Sequence, residues 1–409
     1  MLLLFYIIIF VEIFTILYNI FKFLKILVKK NELDLQLYSK DLQINILIPC
    51  YEEINVIKRT IEHFNNITKN MKNINIYVIT TNKEKYENRL KETTYEYLMK
   101  LDIMKQRNIH IINYPMKNGF MADQLNYGIA KILAGSIFTH DKIYFSIYNA
   151  DSLPDPNTFS ELISKIIKYN YPKVLQQYSN YYLNYNKQNF IMKGFAMYQT
   201  AFELRNGLIN NKLCRFLYSH VVGHGLTIRA DYITEINGFT NTVWCEDIYI
   251  TGLLFNNGIN IIPLNSMDNA ENPEKLSVQI NQNAVWFKTA SHPAKTLNDI
   301  KKDYKITRYG IIWLFHEIRA TFIWIFMPIF LIYSFIYPTI ILNSKLLILA
   351  ICSYLIFCFV NYTLNLIIVC KEKFKIYLKD YFALIFSIML TGIGPAKSFF
   401  LKEKKKTPR

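Results

Sequence analysis

Two short acidic segments of the sequence could bind a metal ion or move a proton. In the first, Asn149-Ala150-Asp151 closes an apolar run that is typical of a strand. Residues two apart on a strand point the same way, so Asn149 and Asp151 could reach one ligand together. A carboxylate here suits Mg²⁺ or Mn²⁺, which prefer oxygen ligands and often share them with phosphates. Alternatively, Asp151 only opens a turn, as Asp before Ser152 commonly does.

The second acidic segment is Glu246-Asp247, which precedes an apolar helical pattern over residues 248–255. Acidic residues at the start of a helix often do no more than cap it. The functional alternative is a general base that takes a proton from a hydroxyl group. The segment alone leaves both interpretations open.

Gln282 and Trp286 lie four residues apart, a spacing that puts both side chains on one face of a helix. Trp offers a flat apolar surface for a ring and an N–H donor. A Trp that anchors the chain at a membrane interface is the alternative.

The segments that must position these residues alternate between strand and helix patterns. Residues 44–49, 74–80, 109–113 and 142–150 predict strands, and residues 56–67 and 122–133 predict helices. This alternation predicts βαβ units with a mostly parallel sheet, in one α/β domain over residues 31–305. Ligands of such sheets bind beyond the carboxyl ends of the strands, where the motifs fall.

Apolar segments flank the α/β domain. Residues 1–30 predict an uncleaved membrane anchor, because no basic residue precedes the apolar stretch and four lysines crowd its far end. Residues 306–320 predict an interfacial helix. Residues 321–396 predict two spans, at 321–342 and 346–369, followed by a re-entrant or interfacial hairpin broken at residues 392–395. Residues 397–409 form a basic tail.

The net charge of +16 comes from 47 basic and 31 acidic residues. The basic surplus lies at the edges of the predicted spans, which indicates a lipid bilayer as partner and no nucleic acid. Short basic loops stay inside, so we expect a multi-pass protein of the cell membrane with the α/β domain and tail in the cytoplasm. Six cysteines without a CxxC pair fit that reducing compartment.

The order and spacing of the motifs resemble those of the family 2 inverting glycosyltransferases, over roughly residues 40–300. The resemblance is carried by Ile46-Leu47-Ile48-Pro49-Cys50-Tyr51-Glu52-Glu53, Asn149-Ala150-Asp151, Gly223-His224-Gly225 with Arg229 and Gly238-Phe239, Glu246-Asp247, and Gln282 to Trp286. The flanking apolar segments make the chain look like the membrane-embedded polysaccharide-synthase branch. The resemblance implies a GT-A, Rossmann-like domain that binds a nucleotide-sugar, flanked by transmembrane helices.

The resemblance also implies roles for single residues. Pro49, Tyr51 and Glu53 would embrace the nucleotide base, while Asn149 and Asp151 would face the donor diphosphate, with Asp151 binding Mg²⁺ or Mn²⁺. Asp247, beside Glu246, would be the catalytic base. His224 would contact the acceptor, and Gln282 and Trp286 would lie over donor and acceptor.

Four positions depart from the family pattern. Asn149 stands in place of the first Asp of the metal element, and Val285 in place of an Arg that faces phosphate. Thr80-Thr81-Asn82 stands where an acidic residue usually follows the second strand. Met121 stands where a Lys often precedes the Leu125-Asn126 helix.

The resemblance therefore predicts an inverting transferase that moves a sugar from a nucleotide-sugar, with a UDP-sugar expected first. The acceptor would be a lipid-linked or polysaccharide molecule in cell-surface glycan synthesis. The alternative is a catalytically weak, glycosyltransferase-like binding subunit of a membrane polysaccharide complex. Asn149 and Val285 favour that alternative.

Overall fold

The computed structural model of the protein describes residues 1–28, 41–87, 91–213, 220–364, 366–367 and 377–401. Its strands are β1 (Gln43–Pro49), β2 (Ile74–Thr81), β3 (Ile109–Tyr114), β4 (Ile143–Ile147), β5 (Leu153–Pro154), β6 (Val174–Gln176), β7 (Ser179–Asn180), β8 (Leu226–Arg229), β9 (Ile261–Pro263) and β10 (Asp268–Asn269).

The helices are α1 (Leu2–Val28), α2 (Ile54–Thr68), α3 (Lys83–Glu87), α4 (Thr94–Met99), α5 (Met121–Ala134), α6 (Thr158–Lys168), α7 (Phe190–Glu203), α8 (Asn210–Leu213), α9 (Ala230–Glu235), α10 (Glu246–Asn256), α11 (Leu276–Ala290), α12 (Pro293–Asp303), α13 (Arg308–Ile340), α14 (Ser344–Cys358), α15 (Leu378–Leu390) and α16 (Ile393–Ser398). Two π-helical segments, Leu204–Ile209 and Phe359–Thr363, continue α7 and α14.

A seven-stranded sheet in the order β3-β2-β1-β4-β8-β6-β9 forms the centre of the middle domain. Strands β3, β2, β1 and β4 run parallel, as do β6 and β9, whereas β8 is antiparallel to both of its neighbours. The predicted mixed α/β, mostly parallel sheet is therefore confirmed. The reversal of β8 is new, and it brings the start of that strand to the edge where β1 and β4 end.

Both faces of the large sheet are buried, which explains why β1 is apolar at almost every position. Ile46 and Ile48 pack on one face against Ile57 and Phe64 of α2. Leu47 faces the other side and joins the core that α5 covers. The apolar stripe of α2 follows helical spacing, as the sequence predicts.

A second, three-stranded sheet in the order β5-β10-β7 lies beside the site edge. The sequence patterns do not predict it, because its strands have only two residues each. Its middle strand, β10, is antiparallel to β5 and parallel to β7. This sheet fixes Asp268 close to the segment that follows β4.

Four of the described helical segments are long and apolar enough to cross a membrane, namely Leu2–Lys25, Arg308–Ile340, Ser344–Thr363 and Leu378–Ser398. The first matches the predicted anchor. The predicted interfacial helix at 306–320 and span at 321–342 form one continuous helix of 33 residues, about 50 Å long at 1.5 Å per residue. No proline stands near residue 320, where the two predicted elements would have separated, and the helix also continues through Pro328 and Pro338. Part of the predicted 346–369 span lies outside the described residues.

Helices α1 and α13 run antiparallel. Phe5 and Tyr337 have ring centroids 6.0 Å apart, and the Tyr333 hydroxyl donates to the Met1 carbonyl at 3.0 Å. The start of α1 therefore lies beside the end of α13. Near the C-terminus, the turn between α15 and α16 falls at Gly392, where the sequence predicts a break.

Two glycines allow the C-terminal helices to pack closely on the α/β domain. A Cβ added at Gly194 of α7 would lie 2.2 Å from the Ala383 carbonyl oxygen of α15. A Cβ at Gly394 of α16 would lie 2.5 Å from the Asn283 Cβ of α11. Because α11 carries Gln282 and Trp286, the apolar C-terminal helices directly support a predicted site element.

Candidate active site

Pro49, Asn149, Asp151 and His224 lie at one edge of the large sheet, next to the ends of β1 and β4 or the start of β8. Strands β1 and β4 end there, and β8 begins there, since Ile147 of β4 pairs with Leu226 of β8. Arg229 lies at the other end of β8, opposite Tyr144, and its guanidinium binds the Asp231 carboxylate at 2.7 and 2.8 Å. Arg229 therefore has a structural role away from the site.

The loop after β1 is held by a buried acid. Glu84 of α3 accepts hydrogen bonds from the Glu52 amide at 2.7 Å and from the Thr94 amide at 2.6 Å. The Thr94 hydroxyl in turn accepts from the Glu53 amide at 3.2 Å. Glu52 has a φ of 59°, a left-handed conformation that is uncommon for a non-glycine residue. These bonds fix the bend that points the loop out from the sheet.

The predicted base-binding residues lie on this loop. Pro49 ends β1, and the Tyr51 hydroxyl donates to Glu87. The Lys83 ammonium lies 5.1 Å from the centroid of the Tyr51 ring and 5.4 Å from that of Phe120. An aromatic ring beside a cation offers a stacking surface for a base and a charge for a phosphate. Glu84 and Lys83 were not among the predicted site residues, because the family pattern places an acidic residue directly after the second strand.

Asn149 and Asp151 both lie beyond the end of β4, which is shorter than the predicted strand. β4 ends at Ile147, and the Ser152 amide bonds the Asn149 carbonyl at 3.1 Å, which closes a turn. The prediction that the strand includes Asn149 and Asp151, and so aligns their side chains, is therefore wrong. Asp151 is nevertheless buried, at 5% exposure, while Asn149 is half-buried.

His224 lies between two buried carboxylates. Its Nδ1 is 3.6 Å from an Asp268 oxygen, and its Nε2 is 3.9 Å from a Glu203 oxygen. The Ser179 hydroxyl links the first pair, at 3.0 Å from His224 Nδ1 and 3.3 Å from Asp268. The Ser179 amide also donates to Glu203 at 2.8 Å. This arrangement can hold an imidazolium ion in a fixed position.

The charge of His224 follows from these neighbours. Burial lowers the pKa of His224, but hydrogen bonding to Asp268 and the nearby charges of Glu203, Asp268 and Asp151 outweigh it and raise that pKa to about 9. Asp151 therefore lies within electrostatic reach of His224, and the imidazole is protonated at neutral pH.

Asp247 lies in the first turn of α10, as predicted, and faces the same region. A Cβ added at Gly223 would lie 4.0 Å from an Asp247 carboxylate oxygen. Burial and the charge of Glu246 raise the pKa of Asp247 to about 7, although the charge of His224 and the Ile248 amide oppose the rise. A carboxylate whose pKa is near neutral is suited to general-base catalysis. Asp151, His224 and Asp247 thus belong to one electrostatic cluster.

Helix α11 braces the turn that leads into α10. The Thr289 hydroxyl accepts from the Cys245 amide at 2.9 Å. Gln282 and Trp286 lie on α11 and are both half-buried, as the predicted helix requires. The other side of α11 touches the apolar helices, since the Phe287 and Trp324 ring centroids are 5.5 Å apart. Helix α11 therefore contacts both the turn before α10 and the apolar helix α13.

Asn126 connects α5 to the Gly238-Phe239 motif. Its side-chain oxygen accepts from the Phe239 amide at 2.7 Å, and its amide donates to the Phe239 carbonyl at 2.8 Å. Gly238 has a φ of 82°, and a Cβ there would lie 2.4 Å from the Asn126 side-chain oxygen. The pairing fixes the chain that leads from β8 and α9 back to Asp247.

The oxygen atoms near Asp151 suit a cation whose remaining ligands come from a bound substrate. Within the described ranges, no group of three or more His, Cys, Asp or Glu side chains is placed to hold a metal ion. Asp268 Oδ1 is buried and has no hydrogen-bond partner among the described residues, so a second carboxylate is available near His224. Mg²⁺ is commonly bound by one or two carboxylates together with substrate phosphates. Asp151 fits this kind of site.

Asp268 and Glu203 were not among the predicted site residues. Asp268 lies on a two-residue strand that no periodicity reveals. Glu203 carries a usable signal, because it is the one acidic residue of the 14-residue α7, flanked by Phe202 and Leu204. A buried acid in an apolar helix indicates a charged partner.

Comparison with known proteins gives limited likenesses. No model of a known protein family matches the sequence. A curated "Probable glycosyltransferase" from Sulfolobus acidocaldarius is 24% identical over 225 residues, which cover 55% of this chain and 44% of that protein. The match thus covers less than half the length of that relative.

Two solved structures are similar to the chain. The mannosyltransferase PcManGT from Pyrobaculum calidifontis, in complex with GDP-Man and Mn²⁺, has a TM-score of 0.52 at 10% identity and covers 97% of this chain and 99% of that chain. TarS from S. aureus, in complex with UDP-GlcNAc, has a TM-score of 0.43 at 10% identity, with 86% and 90% covered. The first likeness shows a shared fold, and the second is too low to carry an argument.

Proposed function

We propose that this chain is a membrane-bound inverting glycosyltransferase with a GT-A domain, of the polysaccharide-synthase type. It transfers a sugar from a nucleotide-sugar, with UDP-sugars the first choice, to a lipid-linked or polysaccharide acceptor in cell-surface glycan synthesis. The observation that carries the proposal is the electrostatic cluster of Asp151, His224 and Asp247, drawn from distant parts of the chain to one sheet edge. The likeness to a curated glycosyltransferase supports it.

Asp247 is the proposed catalytic base. It takes the proton of the acceptor hydroxyl while that oxygen attacks the anomeric carbon and the bond to the nucleoside diphosphate breaks. The pKa of about 7 leaves a large share of Asp247 ionised at neutral pH, while it remains basic enough to accept a proton. Glu246 acts through its charge on Asp247, and His224 lies where it can contact the acceptor.

Asp151 belongs to the donor side of the proposed site, with Asn149 beside it and the loop from Pro49 to Glu53 around the base. Bound Mg²⁺ or Mn²⁺ would neutralise the charge that builds on the departing diphosphate. Lys83, beside Tyr51, supplies a cation on the same side. Gln282 and Trp286 border donor and acceptor from α11.

The proposed location is the cell membrane, with the α/β domain in the cytoplasm. Four described segments have the length and composition of spans. The basic residues beside them favour the cytoplasmic placement. Nucleotide-sugars are cytoplasmic metabolites in this scheme, and a bilayer-embedded enzyme suits an acceptor that is itself held by the membrane.

The test is release of nucleoside diphosphate by the detergent-purified full chain from a panel of UDP-, GDP- and dTDP-sugars. Membrane lipid extract supplies the acceptor, and Mg²⁺ or Mn²⁺ is compared with chelator. We expect metal-dependent release from one donor, and its loss in both Asp151→Ala and Asp247→Asn. Asp155→Asn is the matched control, because the Asp155 carboxylate accepts from the Met267 amide and from the Asn269 side chain of β10.

Three results would contradict parts of the proposal. Release that Asp247→Asn leaves unchanged would remove the base assignment. Absence of both release and donor binding, measured by calorimetry with every donor, would favour the alternative of a non-catalytic binding subunit. Chelator-resistant release would remove the metal from the mechanism.

A further inference from the structure

Lys22, near the end of α1, is a buried cation in an otherwise apolar helix. Its side chain is 5% exposed, while its neighbours Phe21 and Leu24 are exposed. Asn19, one turn earlier, donates to Asn361 of the π-helical segment after α14. The inward face of α1 therefore carries polar groups at this end. A buried ammonium is costly unless an opposite charge or hydrogen bonds compensate it.

The charged groups that act on Lys22 are themselves cations. They are Arg205, in the π-helical segment after α7, and Arg319, in α13. Within the described ranges, no carboxylate forms an ion pair with any of the three. Three basic side chains from three separate helices thus converge, and none of them has an ion-paired carboxylate within the described chain.

The geometry of the helices places this cluster at one end of the apolar bundle. Because α1 and α13 are antiparallel, the end of α1 with Lys22 lies towards the first half of α13, which carries Arg319. Arg205 is oriented by Tyr362, whose ring centroid is 5.0 Å from the guanidinium carbon. The Tyr198 ring stacks on the Tyr362 ring, with the ring centroids 5.3 Å apart. The guanidinium is thus pre-positioned in the absence of a carboxylate.

We propose that Lys22, Arg205 and Arg319 bind the phosphate group of a membrane lipid, between the apolar helices and the α/β domain. A phosphate presents several acceptor oxygens to Arg and Lys and compensates their charge. Basic pockets at the ends of membrane helices bind lipid headgroups in this way. The lipid tail would lie along the exposed apolar faces of α1 and α13.

The cluster is also connected to the candidate active site. Arg205 follows Glu203 by two residues, and Glu203 lies 3.9 Å from His224. If the bound lipid is the sugar acceptor, its phosphate would dock two residues along the helical segment from Glu203, and this part rests on the proposed function. If it is a bulk phospholipid, the site anchors the enzyme in the membrane.

The test measures lipid binding without any donor sugar, so its failure is distinct from a failure of the proposed activity. The detergent-purified full chain is titrated with farnesyl phosphate and with uncharged farnesol. It is also placed in phosphatidylcholine nanodiscs with or without phosphatidylglycerol, and thermal unfolding is recorded. The variants are Lys22→Met and Arg205→Gln. The controls are Lys25→Gln and Arg308→Gln, which remove an exposed cation from α1 and from α13, two of the helices that contribute to the cluster.

We expect each cluster variant to bind the phosphate lipid about tenfold more weakly or worse, since a charge-assisted hydrogen bond is lost, and each control to bind as the wild type does. Loss confined to farnesyl phosphate assigns the site to an acceptor-like lipid, and loss confined to phosphatidylglycerol assigns it to bulk phospholipid. Unchanged binding of both farnesyl phosphate and phosphatidylglycerol in both cluster variants overturns the proposal. If Lys22→Met fails to fold, Arg205→Gln, at a half-buried position, carries the test.

Discussion

The Nδ1 atom of His224 lies 3.6 Å from a carboxylate oxygen of Asp268, within a pocket that also holds Glu203. The Ser152 hydroxyl donates to the same Asp268 oxygen at 2.8 Å, and the Ser179 hydroxyl lies between acid and imidazole. The small three-stranded sheet holds Asp268 in place through its middle strand, β10. A protonated histidine thereby stays beside the proposed donor and base carboxylates.

The pair of His224 and Asp268 makes the free energy of unfolding depend on pH. The pKa of His224 rises from 6.5 to about 9 on folding, so its contribution to stability is fully present below pH 6.5 and is lost as pH rises through about 9. We expect Asp268→Asn to move that loss to lower pH and to destabilise the fold by about 3 kcal/mol, as breaking a buried ion pair does. Thermal unfolding between about pH 6 and 10 measures both effects.

The control is Asp299→Asn, which removes an acid that pairs with Lys302 at the surface of α12. Its unfolding profile should match that of the wild type. An Asp268→Asn profile parallel to the wild-type one over this pH range would show that Asp268 does not hold the proton on His224.

The pH dependence of the rate of sugar transfer should follow the protonation of Asp247. Because its pKa is raised to about 7, the rate should fall as pH drops below that value and the base becomes protonated. Asp247→Asn should lower kcat by roughly a hundredfold to ten-thousandfold, the usual range for a general base. Donor affinity should be nearly unchanged, because the role proposed for Asp247 is towards the acceptor.

Glu246→Gln separates the base from its neighbour. The charge of Glu246 is the second largest cause of the raised Asp247 pKa, after burial. Its removal should shift the acidic limb of the rate profile to lower pH while turnover at high pH is retained. Loss of turnover at every pH would instead make Glu246 the base.

The large-sheet elements follow closely from the sequence, and the physical reason is their periodicity. The predicted strands at 44–49, 74–80 and 109–113 and the helices at 56–67 and 122–133 all appear, because each buries a regular apolar pattern. The strand predicted to reach residue 150 stops at Ile147, since the turn that begins at Asn149 takes over the backbone hydrogen bonds. The apolar pattern of the sequence alone does not show that the strand ends at Ile147.

The site was only partly predictable. Asp151 and Asp247 follow strand and helix boundaries, which sequence patterns mark well. Asp268, Glu203 and Glu84 act through contacts with distant segments, and no local spacing encodes those contacts. The tertiary fold, and not the motif order, determines the charges around His224.

Glu84 should control donor affinity through the loop after β1. Glu84→Gln keeps one acceptor oxygen and loses one of the two backbone bonds, so we expect about tenfold weaker nucleotide binding by calorimetry with kcat little changed. Adding Glu52→Gly should restore part of the affinity, because glycine adopts the φ of 59° without help. Glu62→Gln, on the exposed side of α2, is the control. An additive loss in the double variant would show that the loop conformation does not limit binding.

The double hydrogen bond between Asn126 and Phe239 gives the last prediction. Asn126→Ala leaves two backbone groups unpaired and should cost about 1–3 kcal/mol for each group that stays buried. Gly238→Ala should also destabilise the fold, because its Cβ would meet the Asn126 side-chain oxygen at 2.4 Å and the φ of 82° disfavours alanine.

The double variant distinguishes the two costs. In Asn126→Ala/Gly238→Ala the collision is gone while the backbone strain remains, so the total loss should be smaller than the sum of the single losses. Urea unfolding of the four proteins closes this cycle. Strict additivity would show that strain at Gly238, and not the collision with Asn126, makes glycine necessary at the turn that leads to Asp247.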